Sequence, residues 1–228
     1  PDVMVKGTVA NSTGNETGVT VNGIVAVVYN GEFFVNHVPL TEGSNTITAT
    51  ATDTAGNTAT TSIVVNAVTT VPYITLTANI ESGIIPLIIN FSVSTEIPNS
   101  VSIYNMDFEG DGNIDYTGST FDNINHAYVT EGIYYPTVVV TDSQGIQYSD
   151  TIAIVVLNKN DLDALLKAKW NAMKTALANQ DVNTALNYFT EETKQHYNEL
   201  FTALQPSLPQ IVQDMQGIEL ISLKNNSA

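Results

Sequence analysis

The chain has no cysteine, no arginine and a single tryptophan, and its seven lysines face 23 acidic residues. Without cysteine, disulfides, thiolate metal sites and thiol nucleophiles are all excluded. A net charge of −16 repels phosphate backbones and anionic headgroups, which argues against nucleic acid and anionic membrane surfaces as partners, and no direct membrane insertion is expected of this fragment. The shortage of cations is local. Through residue 158 there is one lysine, Lys6, against 15 acids, whereas the remainder has six lysines against eight acids. Such a surface suits solubility and divalent cations. No apolar run approaches the roughly 20 residues that span a bilayer. The chain opens at Pro1-Asp2-Val3 without a methionine and reads as a piece of a longer precursor, so the lack of a signal peptide says nothing. Nucleophile, phosphate-cradling and zinc-protease motifs are missing as well. His37, His126 and His196 stand too far apart to share ligand spacing.

What is present is β-forming sequence broken by turns. Residues 3–9 alternate, residues 11–18 form a polar loop, and residues 19–21 and 24–28 flank Asn22-Gly23. That dipeptide is a strong short-range hairpin signal, because both residues tolerate positive φ. Further strands are predicted over 32–35, 45–53 and 58–65. The β pattern resumes over 73–78, 87–94, 100–108, 134–141 and 148–156. Short strands at this spacing predict sandwiches. Asp53-Thr54-Ala55-Gly56-Asn57 and Asp142-Ser143-Gln144-Gly145 hold like places before the last strand of each module and read as hairpin turns.

Gly7-Thr8-Val9, Val21-Asn22-Gly23, Val38-Pro39-Leu40, Glu42-Gly43-Ser44-Asn45 and residues 51–57 resemble a bacterial immunoglobulin-like module of the glucodextranase B-domain type. Met106-Asp107-Phe108, Gly110-Asp111-Gly112, His126-Ala127-Tyr128, Gly132-Ile133-Tyr134 and Asp142-Ser143-Gln144-Gly145 resemble a polycystic kidney disease (PKD) domain, with Met106 in place of the usual tryptophan. The resemblance implies packing roles for His126 and Tyr128, the latter through a tyrosine-corner-like hydrogen bond.

From residue 161 the pattern changes. Leu162, Leu165, Leu166, Trp170, Met173 and Leu177 recur at helical spacing, with Asp161 as the expected N-cap and Asn179 as the C-terminal stop. Residues 181–189 and 190–204 predict two more helices, Pro206 and Pro209 a break, and 218–223 a strand. The run from Trp170 through residues 176–181, Ala185-Leu186, Tyr188-Phe189 and Tyr197 is similar to the helical start of a cystatin-like α+β domain of the nuclear transport factor-like superfamily.

The expected architecture is therefore mostly β: a sandwich over 1–68, a second over 72–157, and a helical or truncated α+β segment over 161–228. The candidate site is acidic. Asp107, Glu109, Asp111, Asn113 and Asp115 match positions 1, 3, 5, 7 and 9 of a calcium loop, but position 12 is Gly118, so the bidentate glutamate is missing. Two readings stay open: a weak calcium (Ca2+) site, or a turn in which these side chains bond their own backbone. Function is expected to be non-catalytic. The chain would be a structural, spacer or adhesion fragment of a secreted or cell-surface prokaryotic protein, meeting a protein or glycan at that surface, with the short connection 67–71 making the two modules a semi-rigid rod. One alternative is a carbohydrate-binding accessory module of a polysaccharide-degrading enzyme, with sugars stacked on Tyr29, Phe33, Phe34, Tyr73, Tyr116 or Tyr148. Another is a small-ligand pocket in a cone-shaped C-terminal domain.

Overall fold

The structure is a computed structural model and describes residues 1–12 and 16–221. The chain is mostly β with a helical C-terminal segment. It separates into two compact units, Pro1–Leu157 and a second that begins at Asn158.

The first module has seven strands: β1 Asp2–Thr8, β2 Thr17–Val21, β3 Ile24–Val25, β4 Val27–Tyr29, β5 Glu32–Pro39, β6 Gly43–Asp53 and β7 Thr58–Ala67. They make sheets of order β1-β5-β4 and β3-β2-β6-β7. Asn22 and Gly23 turn at φ 48° and 84°, the two positive values the hairpin needs. Asn30-Gly31 does the same between β4 and β5, a turn the sequence reading passed over. The strand predicted over 24–28 is interrupted: β3 stays with β2, and after Ala26 the chain crosses to the opposite sheet as β4. Thr17 and Gly18, read as loop, belong to β2, and residues 13–15 of that loop lie outside the described residues. Val19, Val21, Phe33, Val35, Val38 and Ile47 fill the space between the sheets.

Partway along β5 the alternation breaks. Val3 pairs with Val38 but Val5 pairs with Val35, so β5 carries one residue more than β1 across this stretch. His37 takes φ 55°. This is a β-bulge, which re-aims the side chains around it. It lets Val35 and Val38 both face the core while Asn36 points out of the module.

The second module has ten strands: β8 Tyr73–Ala78, β9 Ser82–Ile84, β10 Leu87–Glu96, β11 Val101–Asp107, β12 Tyr116–Gly118, β13 Ile124–Tyr128, β14 Gly132–Tyr134, β15 Thr137–Asp142, β16 Gln147–Thr151 and β17 Ile154–Leu157. Sheets of order β13-β10-β8 and β12-β11-β15-β16 enclose the core, and β14-β17-β9 forms a smaller third sheet. The stretch predicted as one strand over 148–156 is two. β16 pairs with β15, and after Ile152-Ala153 the chain changes sheet as β17. The one predicted over 134–141 is likewise split at Pro136, which has no N–H for a ladder. Met106 is fully buried beside Leu76, Ile89, Val138, Val140 and Ile154. Its unbranched thioether fills the place of the larger ring.

The two sandwiches share an apolar seam. Phe34, Ala153 and Val155 are buried there, with Met4, Val27 and Tyr29 from the first module and Ile133, Tyr135 and Leu157 from the second around them. Phe34 meets Tyr135 edge-on at 6.1 Å, and the Lys6 ammonium lies 4.8 Å from the centre of the same ring. Asn36 closes the seam. Its Nδ2 donates to the Ala153 carbonyl at 2.9 Å, and its Oδ1 accepts the Ala153 N–H at 2.8 Å. The connection is tied down too, since Thr69 donates its N–H and its hydroxyl to Glu42 Oε2 at 2.6 and 2.9 Å. These two bonds hold the Glu42 carboxyl below its ordinary range.

The second unit has α1 Lys159–Ala178, α2 Val182–Leu186, α3 Glu191–Leu204, a 3-10 turn Gln205–Ser207 and α4 Leu208–Asp214. Asn158, not Asp161, caps α1, accepting the Asn160 N–H at 2.9 Å. Asn179 follows its last turn as expected. The two prolines do not end the helical region. Pro209 sits in the first turn of α4, where a missing N–H costs nothing. Met173, Ala176, Leu177, Val182, Ala185, Phe201 and Leu208 form this unit's core, whereas Leu165 of the predicted stripe is exposed. Residues 218–221 carry no strand, and 222–223 of that prediction lie outside the described residues. Among the described residues no helix is long and apolar enough to cross a membrane.

Candidate metal centre

The acidic loop begins where β11 ends and returns to β12, with the Asp115 N–H donating to the Met106 carbonyl at 2.8 Å. Two glycines make the turn, Gly110 at φ 74° and Gly112 at φ 90°. Gly110 is also required by space, because a Cβ there would stand 2.5 Å from the Tyr135 carbonyl oxygen.

Asp107 is buried and organises the loop from within. Its Oδ1 accepts the N–H groups of Gly110 and Asp111 at 2.6 and 3.3 Å, and its Oδ2 accepts that of Gly112 at 2.7 Å. Asp115 Oδ2 accepts the Phe108 N–H at 2.7 Å. Asp107, Glu109 and Asp115 each bring a carboxylate oxygen within 4.8 Å of the others. The other two residues of the predicted ladder are elsewhere. Asp111 turns to the loop tip, where its oxygens accept the Asn113 N–H at 2.8 Å and the Asn113 amide at 3.0 Å. That bonding holds its carboxyl below the usual range. Sequence spacing treats all five positions alike, but Gly112 reverses the chain between them and separates the set.

Crowding three carboxylates has an electrostatic consequence. Burial, a hydrogen bond shared with Asp115 and the Asp115 and Asp107 charges push Glu109 up from 4.5 to about 6. A proton held between Glu109 and Asp115 relieves the repulsion, and a hard cation would relieve it in the same way. His126 Nε2 lies 3.0 Å from Glu109 Oε1. Burial lowers this imidazole's pKa, and the Asp115 charge only partly offsets it. The neutral ring with its proton on Nε2 is thus a donor to Glu109. The ring also stacks on Phe108 at 4.6 Å, which agrees with the packing role expected of it. The Tyr128 hydroxyl donates to the Phe108 carbonyl at 2.7 Å from a buried position, and burial raises its pKa. This bond joins β13 to the acidic loop twenty residues upstream, a longer reach than a tyrosine corner makes. Sequence spacing missed Tyr135, whose carbonyl stands against Gly110, and the contact between Glu109 and His126.

As a calcium set the group is partial. It offers three carboxylates where the ion takes six to eight oxygens, and three amide hydrogens already occupy the Asp107 oxygens. Glu109 Oε1 already faces His126 Nε2, so the exposed Asp115 carboxylate and the other Glu109 oxygen are the hard donors left for a hard ion.

Both hairpin turns are built alike. Asp53 Oδ1 accepts the Ala55 and Asn57 N–H groups at 2.9 and 2.8 Å, and Asp142 Oδ1 accepts those of Gln144 and Ile146, each at 2.9 Å. Asn99 donates to Asp142 Oδ2 at 2.8 Å and, with those amides, keeps its pKa low. Of the aromatic residues considered for sugar stacking, Phe33 and Phe34 are buried, and Tyr29, Tyr73, Tyr116 and Tyr148 are partly buried.

Residues 2–69 match the family described as glucodextranase, domain B. No curated protein matches the chain. Among solved structures, the fibronectin(III)-like modules of Clostridium thermocellum CbhA are 13% identical, covering 69% of this chain and 86% of theirs at a TM-score of 0.28. The PKD domain of an M14-like peptidase from a Thermoplasmatales archaeon is 20% identical over 37% of this chain and 94% of its own, at a TM-score of 0.31. A tetra-tandem repeat from the extending region of a large adhesion protein is 18% identical over 68% of this chain and 45% of its own, at 0.26.

Proposed function

We propose that residues 1–157 act as a non-catalytic, stiff double module of an extracellular protein, fixing the distance and direction between the parts it joins. The observation that carries this reading is the seam. Phe34, Ala153 and Val155 are 2–3% exposed or less, and Asn36 satisfies both backbone groups of Ala153 across it. Two modules joined only by a short peptide would swing, and a buried apolar contact with a two-point hydrogen bond holds one angle. Spin labels placed on β2 and β13 test this by pulsed electron resonance. One narrow distance distribution is expected; a broad one that widens with temperature refutes a fixed angle.

Within this reading the acidic loop takes calcium as a stiffener through Glu109, Asp115 and Asp107, with water completing the shell. Affinity belongs to the weak extracellular range, on the order of 10⁻⁴ to 10⁻³ M. Millimolar calcium raises the melting temperature of the wild type. Asp115→Asn removes the rise and Asp111→Ala keeps it; no rise in the wild type leaves the bare turn. The carbohydrate-binding alternative draws less support, since Phe33 and Phe34 are buried and Tyr29, Tyr116 and Tyr148 pack partly against the cores.

A further inference from the structure

Most sheet edges in this protein are guarded. β1 carries Asp2, Lys6 and the bulge opposite it; β3, β4, β9, β12 and β14 are two or three residues long. β13 has His126 near its middle and β16 has Asp150. The edge of β8 is covered, because the Leu76 N–H donates to Asp150 Oδ2 at 2.7 Å. These are the usual devices that stop sheets from adding to one another.

β7 has none of them. It is an edge strand of ten residues, Thr-Ala-Thr-Thr-Ser-Ile-Val-Val-Asn-Ala, without charge, proline or glycine. It pairs with β6 over ten consecutive partners with no shift of register. Among the described residues no strand pairs with its outer side. Ile63 and Val64 are 57% and 69% exposed. Its β-branched residues favour an extended, pleated partner.

We propose that β7 is a docking edge for a second copy of this chain, which adds its own β7 antiparallel across a two-fold axis. Charge selects this occupant. The first 158 residues carry −14, so copies repel over most of their surface. The sheet β3-β2-β6-β7 has only one charged residue, the buried Asp53. An edge without carboxylates offers nothing to a cationic peptide, whereas an uncharged strand of matching character is what another copy brings. An axis through Ile63 sets Ile63 against its own symmetry mate and Ser62 and Val64 against each other, keeping every side chain on its own face. The contact is isologous and closes at two. It joins two four-stranded sheets into one of eight.

Sedimentation velocity of the full chain over about 10 µM to 1 mM tests the pairing. A monomer–dimer equilibrium is expected that strengthens as salt rises, because salt screens the long-range repulsion and leaves the uncharged seam untouched. Ile63→Glu places like charges directly opposite one another and gives a monomer at every concentration, with the circular dichroism of the fold retained because Ile63, though on the face of the buried Ile47, is 57% exposed. Hydrogen exchange of β7 amides slows as the wild type dimerises. A wild type that stays monomeric at high salt overturns the proposal. So does an Ile63→Glu variant that still dimerises, or growth beyond two copies.

Discussion

Phe34→Ala separates the seam from the cores on either side of it. Phe34 is 3% exposed and belongs to the cluster between the modules, while its neighbours Phe33 and Val35 fill the first module's own interior. Truncating a buried phenylalanine costs about 3–5 kcal/mol. If Pro1–Leu157 melts as one body, each kcal/mol lowers Tm by roughly 2–4 °C at this size, so the fall should be about 6–20 °C. The form of the change is more telling than its size. Both cores survive the substitution, so calorimetry should show the single transition of the first unit splitting in two. Asn36→Ala provides an independent check. It strands the N–H and the carbonyl of Ala153, itself 2% exposed, at about 1–3 kcal/mol for each group left unpaired. The reasoning fails if Phe34→Ala melts in one transition within a degree or so of the wild type, because the modules would then have been independent from the start.

Glu109 should make stability depend on pH. Its carboxyl sits at about 6 in the folded state against an ordinary 4.5. The folded state therefore holds this proton more tightly than the unfolded chain, and the resulting stabilisation is complete below 4.5 and lost as pH rises through about 6. Glu109→Gln should flatten that part of the Tm–pH curve, and an unchanged slope would refute the assignment. Gly110→Ala should destabilise by more than about 1 kcal/mol in chemical denaturation, because the position has positive φ and a Cβ would strike the Tyr135 carbonyl. Tyr128→Phe should cost about 1–3 kcal/mol by leaving the buried Phe108 carbonyl without its donor. A neutral result there would mean that water replaces the hydroxyl.

Features written in local chemistry were legible in the sequence. Asn22-Gly23, Asp53–Asn57 and Asp142–Gly145 each encode their turn in a few adjacent residues, and all three fold that way. Alternation located the long strands β6, β8 and β10. It did not locate the change of sheet after Ala26 or at Ile152-Ala153, because an uninterrupted β-forming run without glycine or proline looks the same whether or not the chain crosses between layers. The acidic site was legible as composition and illegible as geometry. Alternate oxygen-bearing residues put Asp107 through Asp115 on one list, but two positive-φ glycines decide which of them converge. His126 entered as a packing residue. Its bond to Glu109 depends on β13 pairing with β10, and nothing near position 126 announces that.

The single surplus residue in β5 has a consequence for how such proteins diversify. Because side chains alternate, adding or deleting one position exchanges the two faces for everything beyond it. Here the surplus residue is the exception: removing Asn36 or His37 would leave Val35 and Val38 two apart and both still facing the core, but it would remove either Asn36 itself or the bulge that aims it at Ala153, so the module's interior would survive while its attachment was lost. Insertions between positions 67 and 71 would leave both intact. The inherited angle of this tandem is thus recorded in mid-strand, and recombination that swaps whole modules at the connecting peptide would carry only half of the instruction.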